Sequence, residues 1–469
     1  MQMARGSVRP VRYSRISILV GLSLILSMTG AGWAEEGQGR RLILDLDRMI
    51  AMAVDKSPAI GESKSEIEAA KSDLDQVKAA YYPQVDVTGL IGPIDDAKEP
   101  IIRNNKIYDP SPGLSLSSIS GFGKLDVVMT QPIYTFGKLS HREDAAGRGV
   151  KAKELELPKK KCELAVRVKQ LYYALVLSRA GLAAAKNAGD FFDETKNRIS
   201  RLLALGAVQV AETDLYRVEA YRADSIRFRA EAEKGEKTAY FALKAMLCLP
   251  DNMEFEPADK KLIMKDEKPA NLDSYLQGAA TRRPELKQLK EAVEAQQSML
   301  QAAQSDQYPS FFAAAVGSLA GAPGRDAFHN PYISDDFNHS YGGVVAGLKW
   351  NFDFGIGRAR IDKARAEYHK IRNTQAYAEM NIPIQVAKCY QDVVEWQKAA
   401  VSYRAAAVAS RKWVVAALAD FDMGVGVAGD LLNAIEKYGQ NEGKYLEALF
   451  NYNVSVAELE CAAGSVDKL

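Results

Sequence analysis

The chain lacks a dominant sign of charge. Lysine and arginine together number 61 against 60 aspartates and glutamates, for a net charge of +1, so no electrostatic footprint for nucleic acid is present. Cysteine is scarce, with four residues at positions 162, 248, 389 and 461. None has a neighbour at CxxC or zinc-finger spacing, which removes a metal framework from consideration. All four fall in helix-like stretches among apolar neighbours and read as buried thiols, with a disulfide left open for an exported chain. Histidine is equally sparse. His141, His329, His339 and His369 are too scattered for a metal site, and two of them fall in a predicted surface loop, so plain polar roles are expected. No Ser/His/Asp or Cys/His constellation is legible. "GFGK" and "FGIGRAR" lack the strand–glycine loop–helix context and the Lys-Ser/Thr ending of a phosphate loop. No catalysis, cofactor or metal is expected.

Long apolar runs are also missing. Arg5, Arg9, Arg12 and Arg15 precede an apolar run at 16–28, followed by Gly32-Trp33-Ala34. A basic segment, about a dozen apolar residues and small residues at the cleavage positions read as a signal peptide over 1–34, with the mature chain starting near Glu35. An uncleaved anchor is the alternative. No cysteine follows the run, which argues against a lipid-anchored start. Beyond it no stretch of about 18 apolar residues occurs. A membrane-bound form must therefore cross as strands of a closed barrel.

What the chain does have is a plan written twice. "SPAIGESKSEIEAAKSDLDQVKAAYYPQVDVTG" begins at Ser57, and "RPELKQLKEAVEAQQSMLQAAQSDQYPSFFAAAVG" begins at Arg283. Pro58 and Pro284, then Pro83 and Pro309, are both 226 positions apart. Pro58 and Pro284 suit the first turn of a helix. Ile60, Ile67, Leu74 and Val77, or Leu286, Leu289, Val293 and Leu300, recur at helical spacing, with Gln297 interrupting the second stripe. Pro83 and Pro309 are expected to end those helices and start extended chain. In "VVAGLKWNFDFGIGR" residues Val344, Ala346, Leu348, Trp350 and Phe352 alternate with Val345, Gly347, Lys349, Asn351 and Asp353. That is the apolar-out, polar-in pattern of a barrel strand, with Trp350, Phe352 and Tyr134 as membrane-interface aromatics. Segments 92–123 and 321–340, rich in Gly, Pro, Ser, Asn and Asp, read as long hairpin loops.

Phe136-Gly137 and Phe354-Gly355, 218 apart, each open a helical run of some 65 residues, roughly 100 Å at full length. The runs extend from 138 to 205 and from 358 to 423. Pro158 and Pro383 predict a kink or break in each. Gly206 and Gly424, again 218 apart, mark the turns into return helices at 213–247 and 431–463. The domain plan is a first repeat at 35–248, with a β-hairpin at 81–136 and a helical hairpin at 138–247. A linker at 249–273 follows, and then a second repeat at 274–469, with a β-hairpin at 308–354 and a helical hairpin at 357–463.

"TQPIYTFGK", "LKWNFDFGIGRAR", "MGVGVAGDLLNAIEKY", "LKAMLCLPDN" and the two "P…YP" blocks, in this order, resemble the TolC-like outer membrane efflux protein family over nearly the whole mature chain. The resemblance implies an α+β membrane protein. Three protomers would each give four strands to a shared twelve-stranded transmembrane barrel in outer membrane lipid, and long helical hairpins to a periplasmic α-barrel. It implies a passive exit duct of a tripartite efflux or type I secretion system, docked through a periplasmic adaptor to an inner-membrane transporter. Closure in threes answers a physical need, because four strands leave open edges in lipid. By motif position the resemblance makes Asp430 a constricting acid of the periplasmic entrance. Asn433 stands where a second acid is common, Asp214 is the first-repeat counterpart, and Gly426 replaces a basic residue. Convergent carboxylates repel one another and attract cations. Asp430 reads equally well as a helix N-cap. The alternative to a pore is a secreted or periplasmic helical rod, which the alternating strands argue against.

Overall fold

The computed structural model describes residues 42–111, 116–264, 269–327 and 334–465. The segment read as a signal peptide lies outside them. The chain starts with strand β1 (Leu42–Leu44) and helix α1 (Leu46–Lys56), which is capped by Asp45 accepting from the Arg48 amide at 2.8 Å. Helix α2 (Pro58–Ala79) leads into β2 (Gln84–Asp95). A small hairpin of β3 (Ile101–Arg103) and β4 (Lys106–Tyr108) turns at Asn104 and Asn105, both left-handed, as a tight two-residue loop requires. Then come β5 (Ile119–Tyr134), α3 (Lys138–Ala204) and α4 (Glu212–Met246). After β6 (Phe255–Pro257) and α5 (Leu272–Arg282) the plan recurs as α6 (Pro284–Ser305), β7 (Ser310–Gly321), β8 (His339–Lys349), α7 (Ile356–Asp422) and α8 (Ala428–Ala462). Paired elements match in length: 22 residues in α2 and α6, 67 in α3 and α7, 35 in α4 and α8.

One antiparallel sheet has the order β2-β5-β7-β8, leaving β2 and β8 as its two edges. Directly opposed residues of an antiparallel pair project to one face. One row across the sheet is Val85, Met129, Ala315 and Val344, and the next on the opposite face but one is Thr88, Asp126, Ser318 and Tyr341. The first face is apolar and exposed, with Val87, Ile91, Leu125, Leu319 and Leu348 also on it. The second carries Asp86, Lys124 and Lys349. This is the division a barrel wall needs between lipid and lumen.

Helices α3 and α7 run unbroken through Pro158 and Pro383. The expected break is absent because packing holds each helix along its length: α3 lies against α4, α6 and α8, and α7 against α6 and α8. Helix α2 ends at Ala79 and α6 at Ser305, four residues before Pro83 and Pro309. Turns closed by Tyr82 N–H to Ala79 O and Tyr308 N–H to Ser305 O intervene. The prolines therefore open the strands and do not end the helices directly. Segment 249–273 is more than a connector. Its β6 pairs in parallel with β1, and Phe255 is buried and stacked on Tyr240 at 4.7 Å. Asp259 accepts from the Tyr172 hydroxyl at 2.8 Å. A core of Leu44, Met49, Val168, Leu175, Leu243 and Leu449 surrounds this junction.

Cys162 of α3 and Cys461 of α8 form a disulfide, the pairing the sequence left open. The buried-thiol reading is corrected at Cys248, which lies exposed just past α4. The strand reading shifts also. β8 ends at Lys349, so Trp350 and Phe352 lie beyond it, because the opposing strand starts at Ser310 after Pro309, which has no N–H to give. His339 is the first residue of β8, not a loop residue; its ring lies 2.7 Å from the Ser318 hydroxyl, which also donates to Asp126 at 2.6 Å.

Candidate functional site

The far ends of the helical hairpins carry the residues marked out in the sequence. α3 ends with Gly206 at φ 72° and α7 with Gly424 at φ 78°. At each, the next N–H reaches back to the last turn: Ala207 to Leu202 O at 3.1 Å, and Val425 to Asp420 O at 3.0 Å. This closure satisfies carbonyls that the helix leaves unpaired, and its left-handed position favours glycine. Gly426 has a different reason to lack a side chain. Its N–H donates to Asp420 O at 2.9 Å, and a Cβ there would lie 3.0 Å from backbone atoms of Asp420 and Phe421.

The turn at 205–211 is two residues longer than the turn at 423–427. The excess is absorbed before the return helix starts, so Asp214 and Asp430 both occupy the third helical position. Their surroundings differ. Asp214 is only 9% exposed. Its carboxylate accepts from the Ala211 amide at 3.0 Å and lies 3.8 Å from Arg217. It is turned back onto its own helix terminus, where an acid satisfies free N–H groups. Asp430 is exposed and makes no capping bond. The N-cap of α8 is Val427, which removes the N-cap reading of Asp430. Asn433 is exposed one turn further along the same face.

Behind these residues the two tips share a core of Phe192, Ile199, Val218, Phe421, Leu431 and Leu432. The Ala428 amide reaches Gln209 O at 3.4 Å, and Arg198 is ion-paired with Asp422 across the hairpins. Lys196 bonds Glu219 at 2.7 Å and holds the Glu219 carboxyl below its ordinary range. Leu205, Val208, Met423, Val425 and Val427 are exposed at the outermost turns.

At the other end, Tyr134 closes β5 and packs edge-on against Phe136 at 4.7 Å. Trp350 donates to Gln307 O at 3.0 Å and lies 4.5 Å from Phe352. Pro83 and Pro309 immediately precede β2 and β7 at the helix-to-strand junctions. No helix among the described residues is long and apolar enough to cross a membrane.

An open-edged sheet with one apolar face, continued by helical hairpins of roughly 100 Å, defines a membrane channel protein in which strands meet lipid and helices build a tunnel. A family model described as outer membrane efflux protein matches residues 49–225 and 275–465, one match in each repeat, and the chain belongs to that family. It is an outer membrane exit duct that extends into the periplasm. No match was found among curated proteins. Among solved structures the fold is similar to the outer-membrane channel OprN, with TM-score 0.72, 17% identity, and 89% of each chain covered. It is similar to the open state of the Neisseria gonorrhoeae MtrE channel, with TM-score 0.71, 16% identity, and coverage of 89% of this chain and 88% of that one. It is also similar to the Campylobacter jejuni CmeC channel, with TM-score 0.71, 14% identity, and coverage of 95% and 94%.

Proposed function

We propose that three copies of this chain close into one twelve-stranded barrel and one helical tunnel. The duct then conducts substrates passively for a tripartite efflux or type I secretion system. The observation that carries this reading is the sheet with both edges unpaired among the described residues and one apolar, exposed face. In lipid each unpaired N–H or C=O is costly, and closure with further copies is the remedy. The exposed Leu205, Val208, Met423, Val425 and Val427 support docking of a periplasmic adaptor on the tips, with an inner-membrane transporter beyond it supplying the energy.

In this reading Asp430, with Asn433 beside it, faces the entrance. Asp214 is engaged with its own helix, so the ring holds three carboxylates and not six. Asp430→Ala is expected to reduce cation selectivity and raise conductance in planar bilayers. Asp214→Ala is expected to lower stability by about 1 kcal/mol through the lost cap, with conductance unchanged. A stable trimer whose selectivity is the same with and without Asp430 would remove the ring. Light scattering of the detergent-solubilised particle tests the copy number, and a monomer would remove the closure in threes.

A further inference from the structure

The register between neighbouring copies can be derived from contacts that the chain makes with itself. Gln84 faces Thr130 in the first hairpin and Ser310 faces Lys349 in the second, so first strands correspond at an offset of 226 and second strands at 219. The offset falls to 218 at Phe136 and Phe354 because β5 carries an extra residue, Ile133, in the bulge between Pro132 and Tyr134. Within the chain β5 of the first repeat pairs with β7 of the second. Their counterparts, β8 and β2, are the two open edges.

We infer that β8 of one copy pairs antiparallel with β2 of the next, Lys349 opposite Thr88, in the register that β5 and β7 already use. The starting contact is Thr130 opposite Ala314, whose counterparts are Lys349 and Thr88. The pair beyond the bulge, Tyr134 opposite Phe311, translates separately to Phe352 opposite Val85. Both translations give one register, although they use different offsets. The inference rests on the trimer proposed above.

The side chains fit this register and resist its neighbours. Leu348 meets Gly89, Gly347 meets Leu90, Ala346 meets Ile91, Val345 meets Gly92, and Gly343 meets Ile94. In each of these five pairs a large residue opposes a small one, whereas Val344 meets Pro93 and the bulky Trp350 and Phe352 meet Val87 and Val85 at the junction. A slip of two residues in one direction sets Gly347 against Gly92 and Leu348 against Ile91. A slip of two in the other sets Leu348 against Val87 and Val345 against Leu90. A slip of one turns apolar residues toward the lumen.

The aromatic junction repeats the same relation. Phe136, at φ 50°, stacks on Tyr308 at 5.4 Å. Phe354 has the same left-handed backbone, at φ 47°, but is fully exposed. Tyr82, the counterpart of Tyr308, is 68% exposed. Phe354 therefore stacks on Tyr82 of the neighbouring copy. The ion pairs of Asp306 with Lys138 and Arg142 do not recur there, since Ala80 stands in the place of Asp306. The interface between copies is thus the less polar of the two junctions.

Engineered cysteine pairs test the register, in a Cys248→Ser, Cys389→Ser background that keeps the native disulfide. Ala346→Cys with Ile91→Cys, and Leu348→Cys with Gly89→Cys, are in register. Ala346→Cys with Gly89→Cys, and Ala346→Cys with Pro93→Cys, are displaced by two. After oxidation in outer membranes, the in-register pairs are expected to yield linked dimers and trimers at least about fivefold more than the displaced pairs, because only they meet disulfide distance. Equal or greater linkage of a displaced pair overturns the register. So does failure of both in-register pairs in a particle that light scattering reads as a trimer, and the trimer then stands. A monomeric particle removes both.

Discussion

The Cys162–Cys461 bond ties α3 of the first repeat to the last turn of α8 in the second, across a sequence separation of 299 residues. Reducing it should lower stability measurably. For a loop of that length the chain-entropy estimate is about 5–6 kcal/mol at 25 °C, an upper figure, with native bridges more commonly at about 2–4 kcal/mol. A chain this size loses stability in urea at about 3 kcal/mol per molar or more, since the slope rises with the surface exposed. The midpoint of unfolding is therefore expected to fall by about 0.5–1 M when dithiothreitol is present, at fixed protein concentration. Cys162 is buried, so the comparison is made at equilibrium through the unfolded state, where the bond is accessible. The double variant Cys162→Ala, Cys461→Ala should unfold near the reduced midpoint and ignore the reductant. A peptide map without the linked pair, or equal wild-type midpoints with and without reductant, would refute the reasoning.

Two further outcomes follow from the helix ends. All four long helices close with a left-handed residue, at Gly206, Cys248, Gly424 and Gly464. Cys248 is the one with a Cβ, and its thiol makes only a 3.5 Å bond to Lys56 O. Cys248→Gly relieves about 1–2 kcal/mol of left-handed strain and returns part of it as unfolded-state entropy. A net gain of about 0.5–1 kcal/mol is expected in urea unfolding, and a loss would show that the thiol contact matters more than the backbone. At the tip, Lys196 depresses the Glu219 carboxyl. Its stabilisation is present above the ordinary glutamate range and disappears as pH falls through the lowered folded value. The stability difference between wild type and Glu219→Gln should therefore shrink below about pH 4, and a difference that persists in acid would assign the effect to packing.

The long helices were legible because their period runs for many turns and each end carries a local signal, Phe-Gly at the start and glycine at the stop. The strand pairs were legible from alternation and from the constant spacing of Pro58, Pro83, Pro284 and Pro309. What escaped the sequence depended on contacts far along the chain. Cys162 and Cys461 become neighbours only once α3 and α8 pack. β1 and β6 have three residues each, too few for a periodic signal. The different fates of Asp214 and Asp430 were hidden too. Both are acids at the third position of a return helix, and they differ in what stands three residues on, Arg217 beside the buried Asp214 and Asn433 after the exposed Asp430. The bulge at Ile133 could have been found, since Thr130 to Phe136 is one residue longer than Lys349 to Phe354.

The two open edges of the sheet have a genetic consequence. In the proposed trimer each chain completes the barrel on both sides of itself, so one faulty β2 or β8 spoils a ring that two sound chains have joined. With equal synthesis of a faulty and a normal copy and random assembly in threes, about one ring in eight contains normal chains alone. An edge-strand lesion should thus behave as dominant, whereas a lesion that stops the chain from folding removes only its own product.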